Sequence, residues 1–184
     1  MTLTTTFKRL RAAGVCTERY KFLRAALKGT KDTEPINLLT ILEINGLDDA
    51  LCALQATAEN CDVPARLMAA DFAEQPLPTW QKNAPNDKRP ELAIKAARDF
   101  AYGRITCEEL AAAAVAAWDA RAAVVGHPAR FAAGGANAAA WAAARDAADA
   151  ARDAARYATE EKRREIFISY LQPEAEPLKD EVEK

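Results

Sequence analysis

Apolar residues recur every three or four positions along most of this chain and almost nowhere every second position, a pattern that predicts helices and no strands. In residues 17–28, Tyr20, Leu23 and Leu27 share one helical face, Thr17 stands where an N-cap is needed, and Gly29 stands where the helix should close. Residues 35–44 read as a second helix, with Pro35 in its first turn, Ile36, Leu39 and Leu42 or Ile44 inward, and Asn45-Gly46 as the stop. A third runs from Leu47 to about Thr57 on the stripe Leu47, Leu51 and Leu54, with Asp48 and Asp49 near its positive end. Asp62 is the expected cap of a fourth, with Pro64 in its first turn and Leu67, Met68 and Phe72 as core candidates.

The pattern breaks at residues 75–90, where four prolines each discourage helix at the preceding residue. The expected organisation is therefore an N-terminal helical subdomain over 1–75, a Pro-rich connection over 76–90 and an Ala-rich helical subdomain over 91–171. A helix should start at Asn86 or Asp87, run through Pro90, Leu92, Ile94, Ala97 and Phe100, and end at Gly103. Thr106-Cys-Glu-Glu109 has the form of a capping box, in which hydroxyl and carboxylate reciprocally satisfy free backbone N–H groups, and it opens a helix to Val125. Gly126-His127-Pro128 interrupts, Gly134-Gly135 reads as a flexible turn, and Asn137 is the expected cap of the longest helix, which reaches Leu171 with a bend near Thr159.

Alanine changes the packing picture, since it makes up 26 of the 48 residues from 111 to 158. It has the best helix propensity, and its methyl group lets helix axes approach closely. Helices near 110–125 and 137–158 are expected to form an antiparallel hairpin, with Trp118 and Trp141 supplying most of its buried area. The predicted fold is all-α, a multi-helix bundle in which short N-terminal helices pack on a long Ala-rich helical hairpin.

Composition mainly excludes. No stretch approaches the roughly eighteen strongly apolar residues of a membrane-spanning helix, and the first residues lack the basic-then-apolar order of a signal peptide. A cytoplasmic protein with no membrane partner is expected. Cys16, Cys52, Cys61 and Cys107 lie far apart and His127 is the only imidazole, so no metal site is expected and the cysteines should be reduced and mostly buried. Nucleophile-elbow, metalloprotease, P-loop and dinucleotide-binding patterns are absent. The acid pairs Asp48-Asp49 and Glu108-Glu109 fall in first helical turns, where acids offset the helix dipole. Arg145, Asp146, Asp149, Arg152, Asp153 and Arg156 alternate at helical spacing as a surface ladder of ion pairs, and His127 reads as a plain loop histidine. No catalytic, cofactor-binding or metal-binding residue is expected, and the chain reads as non-enzymatic.

A net charge of −2 hides an asymmetry. Up to Lys31 the chain carries Lys8, Arg9, Arg11, Arg19, Lys21, Arg24, Lys28 and Lys31 against Glu18 alone, while residues 172–184, expected to be a disordered tail, are acidic. Lys21, Arg24 and Lys28 lie at i, i+3 and i+7, so they project from one side of a helix towards phosphates or an acidic protein surface. Trp80, Lys88 and Arg89 mark a second candidate binding face.

The segment from Asp87-Lys-Arg-Pro through Ala93-Ile and Gly103, followed by Ala-rich helices containing Ala147-Ala-Asp-Ala-Ala-Arg, resembles a family of bacterial and phage proteins known as immunity proteins. The histidines that stud the alanine helices of that family are absent here, His127 excepted. The segment Leu42-Glu-Ile-Asn-Gly-Leu-Asp-Asp-Ala-Leu-Cys-Ala-Leu-Gln-Ala resembles uncharacterised small proteins of tailed phages. Together these resemblances imply a phage or prophage accessory protein that binds and inhibits or neutralises a bacterial host protein, as a counter-defence (anti-CRISPR-like) or immunity-type inhibitor. The alternative is a nucleic-acid-associated accessory protein using the basic N-terminal helices. Alanine faces with tryptophan leave a homodimer open.

Overall fold

The computed structural model describes residues 2–123, 130–141, 151 and 153–172. In chain order these form β1 (Thr4–Thr5), α1 (Phe7–Ala12), α2 (Thr17–Ala26), β2 (Ile36–Asn37), α3 (Leu38–Asn45) and α4 (Leu47–Ala53), which tightens into a 3-10 turn over Leu54–Ala56. Then follow α5 (Asp62–Glu74), α6 (Leu77–Asn83), α7 (Arg89–Ala101), α8 (Cys107–Ala123), α9 (Arg130–Trp141) and α10 (Glu160–Leu171). The architecture is an all-α multi-helix bundle. Helices α5, α7, α8 and α9 pack on one another, α10 lies on α5, and α3 carries α2 and α4. One cluster of buried apolar side chains runs from Leu3 to Leu171 and is shared by both halves of the chain. Among the described residues no helix is long and apolar enough to cross a membrane.

Local chemistry sets several boundaries as expected. Thr106 N–H donates to Glu109 Oε2 at 2.8 Å and Glu109 N–H to Thr106 Oγ1 at 3.2 Å, so the capping box forms. Asp48 and Asp49 occupy the first turn of α4, and Glu108 and Glu109 that of α8. Gly46 adopts φ +88°, ψ 178°, a conformation open to glycine, and so joins α3 directly to α4.

Other expectations are corrected. Two short strands exist: Thr4 pairs with Asn37 and Thr5 with Ile36, antiparallel. Pro35 therefore precedes a strand, and α3 begins three residues after it, at Leu38, where Asn37 as N-cap accepts the Leu39 N–H on its Oδ1 at 2.8 Å. Cys16 and Cys61, one residue before Thr17 and Asp62, are the N-cap positions of α2 and α5. The 76–90 connection contains α6, because Pro78 falls in its first turn, where a missing N–H costs nothing. Leu92 is 59 % and Trp118 52 % exposed, since α7 and α8 turn their small residues (Ala93 and Ala97, Ala114 and Ala117) to the core instead. Of the cysteines only Cys61 is buried; Cys52 is half-buried, and Cys16 and Cys107 are exposed.

The largest correction concerns Gly134-Gly135, which lies within α9 and is no turn. The Tyr157 ring rests on it: a Cβ on Gly134 would stand 2.7 Å from Tyr157 Cε1, and one on Gly135 3.3 Å from Tyr157 Cβ. Asn137 is not a cap either, but a buried residue inside the same helix. The bend expected near Thr159 is a full interruption: the chain turns over residues 156–158, and Thr159 Oγ1 then caps α10 by accepting the Lys162 N–H. Of the expected ion-pair ladder, Asp153 and Arg156 stand 3.9 Å apart. His127, Arg145, Asp146, Asp149, Arg152, the side chain of Trp141 and the acidic tail from Pro173 lie outside the described residues.

Candidate functional site

The basic start of the chain folds into a defined face because its apolar residues point the other way. Phe7, Leu10 and Leu23 are buried, and Phe7 meets Tyr20 edge to face with ring centroids 5.6 Å apart. This contact joins α1 to α2 and leaves their cations beside the loop that follows Gly29, itself at φ +98°. Asp32 in that loop is the organising anion. Arg11 Nη2 reaches its Oδ2 at 2.9 Å, Arg24 Nη2 its Oδ1 at 2.7 Å, and the Lys8 backbone N–H its carbonyl at 2.9 Å.

Both arginines are held from more than one side. Arg24 lies 4.4 Å from the centroid of the Phe7 ring and donates to the Thr30 carbonyl at 3.0 Å. Arg11 also donates to the Tyr20 hydroxyl at 2.9 Å, and that bond and the one to Asp32 favour its charged form. Lys8, Lys28 and Lys31 stand exposed around this pair with no ion-pair partner among the described residues. Five cations thus face two carboxylates, Asp32 and Glu34, the latter accepting the Lys31 backbone N–H at 3.2 Å. The result is a net positive surface with a rigid centre and mobile-headed lysines at its rim.

Of the residues singled out from sequence, Arg24 and Lys28 belong to this face, but α2 ends at Ala26, so Lys28 lies two residues past the helix and does not share one helical side with Lys21 and Arg24. Lys21 pairs with Glu18 at 2.9 Å, both well exposed, a contact worth little. Lys8, Arg11, Lys31 and Asp32 come from outside α2 and were invisible to a search along one helix; an acid embedded in a basic run just past a helix-ending glycine was their only signal.

The second candidate face does not assemble as a surface. Trp80 is 0 % exposed, and its indole N–H donates to the Asp87 carbonyl at 2.7 Å. Arg89 grips the Asp87 carboxylate at 2.9 and 2.6 Å, and these bonds hold that carboxyl below the usual carboxylate range. Lys88 meets Glu91 at 3.3 Å. These residues fasten the entry to α7.

A cleft of about 500 Å³ lies between α4 and the chain entering α10, lined by Asp48, Leu51, Cys52, Asp153, Arg156 and Arg163. Arg163 pairs with Asp48 and Glu160, so its charges balance locally and the cleft does not select an anion. Among the described residues no group of three or more His, Cys, Asp or Glu side chains converges to hold a metal. No protein-family model, curated protein or solved structure matches the chain.

Proposed function

We propose that this chain is a non-catalytic binding protein whose Asp32-centred cationic face docks on an acidic surface of a bacterial protein and blocks it. In the setting implied by the resemblance to immunity and tailed-phage proteins, it acts as a phage or prophage inhibitor of a host protein. The observation that carries this reading is the pairing of two arginines fixed by one carboxylate with three exposed lysines that have no ion-pair partner among the described residues. Groups already fixed lose little conformational freedom on docking, and a positive patch speeds encounter with a negative one.

A protein partner is favoured over nucleic acid by the state of the two aromatic rings that lie against these arginines. Phe7 and Tyr20 are packed against each other and lie under arginine guanidinium groups, so neither is open to stack on a base. The test is capture from nuclease-treated bacterial lysate by the tagged protein and by a Lys8→Glu, Lys28→Glu, Lys31→Glu variant. One stoichiometric acidic protein held through a high-salt wash by the first and lost by the second is the expected result. Without nuclease, recovery of nucleic acid alone, released steeply by salt, would overturn this reading in favour of a phosphate-binding face.

A further inference from the structure

A groove of about 50 Å³ opens where α1, α2, α3 and α4 come together. Leu10, Val15, Tyr20, Leu23 and Ile41 form its apolar walls, and the exposed Cys16 and Arg19 stand at its mouth. The polar groups on the α3–α4 side are engaged with one another: Asn45 Nδ2 donates to the Arg19 carbonyl at 2.9 Å and to Asp49 Oδ2 at 2.7 Å. A space of this size holds about four waters, the heavy-atom count of one leucine or isoleucine side chain. Water against such walls forms few hydrogen bonds, so an aliphatic side chain gains by displacing it.

Cations flank this groove. The Arg19 guanidinium is loosely held, 3.9 Å from Asp49 and 3.4 Å from the Asn45 carbonyl, and its side chain is well exposed. Tyr20 joins the groove to the cationic face, since it lines the groove while its hydroxyl accepts from Arg11, which holds Asp32. A side chain seated in the groove therefore lies beside Arg19 and next to the Asp32-centred face. Asp49, the one carboxylate among the described lining residues, is already bonded to Asn45. That combination selects an aliphatic residue flanked by carboxylates. A nucleic-acid strand brings phosphates but no aliphatic side chain of this size.

We propose that this groove takes one leucine or isoleucine side chain from an acidic polypeptide segment of the partner, whose carboxylates meet Arg19 and the Asp32-centred face. The proposal rests on the reading of that face as a protein-docking surface. It gives the face what its cations lack, an apolar contact that salt does not screen. The lysines draw an acidic segment in, and the groove selects among acidic segments.

Fluorescence anisotropy on the full chain tests this with two labelled peptides, Glu-Glu-Ser-Leu-Ser-Glu-Glu and the same peptide with serine in place of leucine, in about 50 and 300 mM salt. The leucine peptide is expected to bind at least about tenfold more tightly, and to keep that advantage at the higher salt while both peptides weaken. Val15→Asp in the wall and Cys16→Phe at the mouth should each cut the advantage to within about twofold. Cys16 makes no capping bond to α2, and circular dichroism checks that both variants keep their helix content. Changing Lys8→Glu, Lys28→Glu and Lys31→Glu together should weaken both peptides alike. Equal binding of the two peptides, or a leucine advantage that both groove variants leave intact, would overturn the proposal while the cationic-face reading stands. No binding up to about 500 µM protein, or peptides indifferent to the lysine changes, would overturn that reading and the proposal with it. Oligothymidylate bound more tightly than the leucine peptide would give the face to nucleic acid. A leucine advantage seen only after Leu178→Ser and Val182→Ser would give the groove to the chain's own acidic residues 173–184, and either result overturns the proposal.

Discussion

The Tyr170 hydroxyl donates a 2.6 Å hydrogen bond to Asp71 Oδ2, joining residues 99 positions apart. Asp71 Oδ1 accepts Arg98 Nη2 at 2.7 Å, and the same guanidinium meets Glu74 at 2.6 Å. One cluster thereby ties α10 to α5 and α5 to α7. Burial works against the charge on Arg98, but its bonds to Glu74 and Asp71 outweigh it and keep the guanidinium firmly protonated. Burial, together with the Asp71 charge, pushes the Tyr170 phenol above its ordinary range.

Removing that hydroxyl should therefore be felt. Tyr170→Phe is expected to lower stability by about 1–2 kcal/mol, read from the urea midpoint at neutral pH, because it takes a donor from a partly buried carboxylate. The raised phenol also has an alkaline signature. Below about pH 10 both folded and unfolded chains keep this proton; above it the unfolded chain releases it first, so stability falls as pH rises. The Phe variant should lose less stability than the wild type in that range, and equal losses would count against the assignment.

Acid should loosen the other end of the molecule. Glu59 accepts the Thr4 N–H and the Thr4 hydroxyl, both at 2.7 Å. Burial alone would raise its carboxyl, yet these bonds prevail and hold it below the usual range. A lowered carboxyl contributes stability above its unfolded value, near pH 4.3, and that contribution disappears as pH falls through the folded value. Glu59→Gln is expected to flatten the decline of the urea midpoint below about pH 4.5, relative to wild type.

Gly134→Ala should destabilise even though alanine is the better helix former by about 1 kcal/mol. The new methyl would meet the Tyr157 ring, and overpacking of this kind costs about 1–3 kcal/mol. With Tyr157→Ala in the background, the same change should become stabilising. A double-mutant cycle of thermal melts measures that reversal of sign.

Thr106→Ala is expected to cost about 1 kcal/mol by removing the acceptor for the Glu109 N–H, with Thr106→Asn recovering most of it. Trp80→Ala should cost about 3–5 kcal/mol as a core truncation and leave any binding constant of the folded fraction unchanged. A loss of binding without a loss of stability in that variant would place Trp80 at an interface after all.

The helices were legible in the sequence wherever a local device marks them, as the Thr106–Glu109 box and Asn45-Gly46 do. Their orientation was less so. In α7 and α8 alanines make up most of the core side, alongside Ile94 and Leu110, while the larger Leu92, Val115 and Trp118 are left outside, against the rule that the bulkiest residues point inward. Trp80 failed for a converse reason: four prolines suggested an open connection, while Pro78 merely starts a short helix that drops the indole into the core. The cationic face was half legible, since Arg24 stands in α2 and Lys28 just past its end, but Arg11 and Lys8 join them only through Asp32. The ties from Tyr170 to Asp71 and from Thr4 to Glu59 are long-range pairings that no local pattern announces.

Alanine surfaces look alike from turn to turn, so a helix such as α9 has little in its own methyl groups to stop it sliding by one turn along its neighbours. The hollow at Gly134-Gly135 is the exception, since it is the place on the described part of α9 where the Tyr157 ring seats. It acts as a detent: a displaced helix would bring a methyl group under the ring in place of bare backbone. Two residues that look like the weak point of the helix thus fix which of many near-equivalent alignments the alanine core adopts.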